Sequence, residues 1–183
     1  MSDENPWTTL DSRHVYENPW IDVREDQVVR PDGRLGIYGV VHFKNKAIGV
    51  LPVEDDGHVW LVGQYRYPLG HYSWEIPEGG CPEGEDPREC AVRELREETG
   101  LVASHLEIIA VSHLSNSVSD EEAIIYRATG LIHGPSDPEG CERLQVRRVP
   151  FEEALAMLDR FEITDSLSAI ALLREAVRRS RAD

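Results

Sequence analysis

Through the first half of the chain, apolar and polar residues alternate with a period of two, the spacing at which a strand turns one face to a core. WIDVREDQVV (20–29), the turn Pro31-Asp32-Gly33 and RLGIYGVVHF (34–43) predict a β-hairpin. AIGVLPV (47–53), the turn 54–57 (EDDG) and HVWLVGQYRY (58–67) predict a second. The stretch PLGHYSWEIPEGGCPEGED (68–86) holds too many prolines and glycines for a long regular element. A helix is predicted over 86–100, followed by strands at LEIIAVS (106–112) and AIIYRATGL (123–131) and a polar loop, HGPSDPEGCE (133–142). A strand at LQVRRV (144–149) and helices over 151–159 and 166–179 close the chain. Strands flanking one central helix, with helices at the C-terminal end, define an α+β class with helices packed on a sheet.

The central helix is the best specified element. Asp86 is a suitable N-cap, Pro87 fits the first helical position and Glu89 stands at the capping-box position. Gly100 ends the helix in a left-handed turn that glycine adopts without a Cβ clash. Ala91, Val92 and Leu95 predict a short apolar stripe, and beside it Glu94, Glu97 and Glu98 stand at i, i+3 and i+4, on one side of the helix. At about 6 Å and an effective dielectric near 20, each like-charged pair costs about 2–3 kcal/mol unless something positive neutralises it. A solvated face is the usual fate of such a run. A divalent-metal site is the other reading, since Mg²⁺ takes carboxylate oxygens and bridges to substrate phosphates. Spacing alone does not separate the two.

Charge narrows the partners. The 183 residues carry 34 acids against 19 Lys and Arg, a net −15. Such a chain is badly matched to a nucleic-acid backbone, which is gripped by basic surfaces, whereas a small anionic ligand bridged by a cation is compatible. Cys81, Cys90 and Cys141 form no CxxC pair, and three thiols cannot all pair within one chain, which favours a reducing compartment. No apolar run approaches 18 residues, and MSDENPWTTLD is acidic and polar. The expectation is a cytoplasmic protein with neither a membrane span nor a signal peptide.

Gly79, Glu85 and the run Arg93-Glu94-Leu95-Arg96-Glu97-Glu98-Thr99-Gly100-Leu101 resemble the Nudix box, G-x5-E-x7-R-E-U-x-E-E-x-G-U with U aliphatic. All nine specified positions over 23 residues are filled. GVLPVEDDGHVWLVGQYRYPLG and WEIPEGG resemble the ADP-ribose and nucleoside diphosphate sugar pyrophosphatase branch of that family. The resemblance implies an α/β/α sandwich with a mixed sheet over 46–183, preceded by an N-terminal hairpin segment, 1–45. In this branch such a segment often packs across a two-fold partner, so a homodimer is expected.

The resemblance also implies roles. Glu94, Glu98 and Glu97 would hold Mg²⁺, with Mn²⁺ as a substitute and the Glu78 backbone carbonyl as a further oxygen. Arg93 would orient a box glutamate. Glu85, just before the N-cap, would be structural, and Gly79 would let the backbone approach the metal. Arg66 would contact phosphate, and Glu75 would either bind substrate or hold the loop. A late loop commonly supplies the water-activating acid, which points to Glu139 or Glu142, with Asp120, Glu121 and Glu122 as rivals. Tyr38, Trp20 or Tyr67 could stack on a base or ribose, although such aromatics are more often core. The chain departs from the ADP-ribose subclass in one respect. Ser115-Asn116-Ser117 stands where that subclass has a proline. The implied activity is therefore hydrolysis of a nucleoside diphosphate sugar to a nucleoside monophosphate and a sugar phosphate. ADP-ribose pyrophosphatase is the alternative, and a catalytically silent nucleotide-sensing module is the reading from another class.

Overall fold

The computed structural model describes residues 4–134 and 144–181. The chain divides into two compact units, one formed by residues up to Lys46 with His113–Glu122, the other by Ala47–Ser112 with the residues from Ala123 onward.

The first unit holds a three-stranded antiparallel sheet in the order β1-β2-β3. The expected hairpin is present: β2 (Ile21–Val29) pairs with β3 (Leu35–Phe43) from Ile21↔Phe43 to Val29↔Leu35, turning through Gly33 at φ +79°. A third strand, β1 (Thr8–Glu17), joins it. All ten residues of β1 are exposed, so TTLDSRHVYE carries no buried face to mark it in sequence. Asp26 is buried beneath this strand, accepting from the Ser12 hydroxyl at 2.5 Å and from Arg24 Nε at 3.1 Å.

The second unit contains two sheets and all three helices. One sheet has the order β7-β4-β9-β8, from β7 (Glu78–Cys81), β4 (Lys46–Pro52), β9 (Glu122–His133) and β8 (Leu101–His113). The other has the order β10-β5-β6, from β10 (Gln145–Pro150), β5 (His58–Arg66) and β6 (His71–Glu75). The expected second hairpin is thus not one. Beyond the turn, β4 and β5 share a single bridge, Val53↔Val59, and enter different sheets. The reason lies in burial. Residues 48–52 are buried, which suits a central strand, and β4 runs parallel to β9 in a register that sets Ile48 beside Ile124 and Val50 beside Tyr126.

The period of two then places helices on both faces. Ile48, Val50, Ile124, Tyr126 and Ala128 form one core with Cys90, Ala91 and Leu95 of α1 (Pro87–Thr99). Gly49, turned to the other face, is so close to Leu167 of α3 (Ser166–Arg179) that a Cβ there would stand 3.1 Å from its Cδ2. On that same face Arg127 donates to buried Glu175 of α3 at 2.9 Å. α2 (Phe151–Asp159) packs against α3, β5 and β10. This is the expected α+β sandwich with helices on either side of a mixed sheet.

Candidate active site

The site is built on α1 and the loop before it. Asp86 caps the helix, accepting from the N–H groups of Arg88 (2.8 Å) and Glu89 (3.3 Å), and Gly100 closes it at φ +71°. The buried face differs from the expected one. Val92 is 42% exposed, and Cys90, Ala91 and Leu95 supply the apolar contacts. Glu94 and Glu98 lie in that same buried stripe, 8% and 6% exposed. Charge buried to this extent requires partners.

Arg93 is the first of them. Its Nε and Nη2 clamp the two Glu85 oxygens at 3.1 Å each, and its Nη1 reaches Glu94 at 2.7 Å and Glu97 at 3.2 Å. The hydrogen bonds it donates to Glu85 raise the Arg93 guanidinium further above its ordinary value despite burial, and Arg93 in turn holds the Glu85 carboxyl below the usual range. Glu98 Oε2 accepts from the Glu78 N–H at 3.0 Å, bringing the loop backbone against the helix acids. Gly79 lies against Glu94 so closely that a Cβ would fall 2.2 Å from the carboxyl carbon and 2.3 Å from both oxygens. Arg93 thus contacts three carboxylates, Glu85, Glu94 and Glu97, and Glu98 adjoins them one turn along the same helix.

A second cluster adjoins through Glu78. Arg66 Nε contacts both oxygens of buried Glu75 (3.0 and 2.9 Å), while Nη2 reaches Glu75 and Glu78 at 2.5 Å each. Burial pulls the Arg66 guanidinium down, but its hydrogen bonds to Glu75 and the charges of Glu78, Glu75 and Asp165 outweigh it and leave it raised. Burial, with repulsion from Asp165 and Glu75, drives the Glu78 carboxyl well above the usual range, against the pull of Arg66. Glu78 Oε2 is buried with no hydrogen-bond partner among the described residues. Glu75 therefore clamps Arg66, a contact that neither of its two expected roles named.

Two residues at this site were not anticipated. Asp165 caps α3 by accepting from Ser168 N–H at 2.7 Å, and its charge acts on both Glu78 and Arg66. Ser168 Oγ accepts the Ile76 N–H at 2.8 Å, fully buried, and so ties the WEIPEGG loop to α3 across 92 positions. The only sequence signal is a D-x-x-S helix start, which by itself reads as a cap. Of the proposed water-activating acids, Glu139 and Glu142 lie outside the described residues. Asp120 pairs with His42 at 2.6 Å and Glu122 with Lys46 at 2.6 Å in the first unit, and burial raises the Glu121 carboxyl. Tyr67 is exposed, Trp20 is 65% exposed, and Tyr38 donates to the Ser117 carbonyl at 2.7 Å.

Glu94, Glu97 and Glu98 of α1 offer carboxylate oxygens, and the Glu78 backbone meets them at Glu98 beside Gly79. That set fits a hard divalent cation such as Mg²⁺ or Mn²⁺.

A loop–helix–loop with this acid geometry, set in a sandwich of this topology, defines a Nudix hydrolase. The family profile of the NUDIX domain matches residues 43–168, and the chain belongs to that family. A profile for the nucleoside diphosphate sugar hydrolase N-terminal domain matches residues 7–41. Among individual proteins, the chain is 31% identical over 175 residues to an ADP-ribose pyrophosphatase of Bacillus subtilis (strain 168), covering 92% of this chain and 94% of that one. It is 32% identical over 174 residues to an ADP-ribose pyrophosphatase of Mycobacterium tuberculosis, covering 93% and 83%. It is 28% identical over 169 residues to a CMP-5'-(N-acetyl-N-hydroxy-3-aminopropyl)phosphonate hydrolase of Streptomyces rubellomurinus, covering 91% and 81%. A crystal structure of an ADP compounds hydrolase superposes with a TM-score of 0.85 over 98% of both chains at 21% identity, the same fold.

Proposed function

We propose that this chain hydrolyses the pyrophosphate of a nucleoside diphosphate sugar to a nucleoside monophosphate and a sugar phosphate, with ADP-ribose the member of that class to test first. The carrying observation is the group of three carboxylates, Glu85, Glu94 and Glu97, on Arg93, with Glu98 on the Glu78 backbone and Gly79 pressed against Glu94. The two ADP-ribose pyrophosphatases matched along most of their length support the substrate class.

In this reading Glu94, Glu97 and Glu98, with the Glu78 carbonyl, hold Mg²⁺. When bound, the ion neutralises the diphosphate and lowers the pKa of a coordinated water. Arg93 and Glu85 fix the direction of the Glu94 and Glu97 carboxylates. Arg66, held through Nε and Nη2 by Glu75 and Glu78, offers its remaining Nη1 to a phosphate oxygen. Glu142 or Glu139 takes the proton of the attacking water, and the bond to the bridging oxygen breaks.

The enzyme acts in the cytoplasm, as the free, buried Cys81 and Cys90 suit, and no described helix is long and apolar enough to cross a membrane. It works as a homodimer joined through residues 1–45. The support is a strand, β1, exposed along its whole length, with Leu10, Val15, Leu35 and Ile37 each more than half exposed on the same sheet. Light scattering that gives a 20.7 kDa particle at micromolar concentration would exclude that assembly.

The test is turnover of ADP-ribose, ADP-glucose, UDP-glucose and GDP-mannose with Mg²⁺, reading phosphate released by added phosphatase. Turnover of one or more is expected. Nucleotide binding without turnover of any would identify a sensing module instead.

A further inference from the structure

Beside the acid site, around the Glu85 end of Arg93, stand two thiols to which the hydrolase reaction gives no role. Cys81 ends β7, Cys90 lies in the first turns of α1, and Glu85 sits between them in the loop; their two sulfurs and a carboxylate oxygen all lie within 4.8 Å of one another. Both thiols are buried and free. A hard cation has no use for sulfur, whereas two sulfurs and one carboxylate at this spacing match the ligand preference of Zn²⁺ or Cd²⁺, with water able to complete a tetrahedron. The surroundings already accommodate positive charge. Arg93 Nη2 lies 3.3 Å from Cys90 Sγ, 3.1 Å from Glu85 and 3.3 Å from the Gly80 carbonyl.

We propose that Cys81, Cys90 and Glu85 form a binding site for a thiophilic divalent cation, and that filling it inhibits the enzyme by displacing Arg93. The cation binds as both thiols release their protons, with no change of oxidation state. It takes the Glu85 carboxylate from the Arg93 clamp and repels the guanidinium that Cys90 and Glu85 now hold. Arg93 is also the cation on Glu94 and Glu97, at 2.7 and 3.2 Å, so its movement releases two acids of the catalytic group. A disulfide between the same thiols needs a two-electron oxidant, whereas binding the cation displaces only their protons. The binding step is independent of the proposed activity; only the inhibition rests on it.

Cd²⁺ is the probe for binding. Titrated into the reduced full chain, it should give a thiolate-to-cadmium ultraviolet band that saturates at one equivalent, and its ¹¹³Cd NMR shift should report two sulfur ligands. The band should persist in Cys141→Ser and vanish in Cys81→Ser and Cys90→Ser, with folding checked by circular dichroism. No band in the parent chain, a shift that reports oxygen ligands only, or an unchanged band in folded Cys81→Ser overturns the site. The NMR arm uses the unaltered chain and stands even where a cysteine variant does not fold. For inhibition, Zn²⁺ added under a large excess of Mg²⁺ should lower turnover about tenfold or more in the parent chain, the loss expected when a supporting partner of a metal site is removed. Cys81→Ser should lose less than about twofold on the same scale. Equal inhibition of both would place Zn²⁺ among the box acids and overturn the coupling.

Discussion

Gly79→Ala turns the closeness of Gly79 and Glu94 into a rate. Gly79 does not use a positive φ, so alanine fits its backbone, and the conflict is confined to the new methyl group. That methyl would fall 2.2 Å from the Glu94 carboxyl carbon, where an unstrained contact needs about 3.5 Å, so the carboxylate must retreat by about 1.3 Å. A misplacement of about 1 Å in a catalytic group costs about 10²-fold in rate, or about 2.7 kcal/mol of activation free energy. Folding should suffer less, because the displaced atoms are the far end of a flexible side chain. An off-rotamer Glu94 and a weakened, part-exposed contact with Arg93 together cost about 1–2 kcal/mol. A domain of this size then loses about 2–8 °C of Tm. The assay is kcat for the best nucleoside diphosphate sugar at saturating Mg²⁺, alongside the melting temperature without metal. A folded Gly79→Ala whose kcat stays within about threefold of the parent would refute the reasoning, since Glu94 would then not need its place.

Other outcomes follow from the same geometry. Glu98→Gln keeps its shape, loses one charge and relieves repulsion. Without metal it should melt no lower than the parent while turnover falls about 10²-fold or more, and Arg96→Ala, on the exposed side of α1, should leave both nearly unchanged. If Glu98→Gln retains parental turnover, its carboxylate holds no metal. Ser168→Ala strands the buried Ile76 N–H and should cost about 1–3 kcal/mol of stability, read as a lowered denaturation midpoint; an unchanged midpoint would show that α3 does not anchor the loop. The Ser12 hydroxyl, aided by Arg24, holds the Asp26 carboxyl below its ordinary value. A depressed folded value means this stability is fully present above the unfolded carboxylate range, near pH 4, and is lost as pH falls through the folded value. Asp26→Asn should therefore flatten the decline of Tm between about pH 5 and 3, and an identical acid limb in both chains would count against it.

What the sequence determined by itself was local. Asp86, Pro87 and Gly100 fix the ends of α1 through bonds and backbone angles a few residues apart, and helical spacing alone puts Glu94 and Glu98 on one side. The β2–β3 hairpin was equally legible, because its turn and its alternating strands adjoin in the chain. Tertiary pairing decided the rest. β4 and β5 read as a hairpin until β9 takes β4 as a parallel partner from more than seventy residues away. β1, exposed throughout, is a strand only because β2 supplies its hydrogen bonds. Helical spacing cannot show that Glu94 and Glu98 share the buried stripe with Cys90, Ala91 and Leu95, because which face is buried is set by the sheet beneath α1. Arg93 reaching back to Glu85 in the loop, Ser168 fastening Ile76, and Cys81 meeting Cys90 all depend on where separate elements are brought together. Such contacts join residues whose separation in the chain carries no period to read.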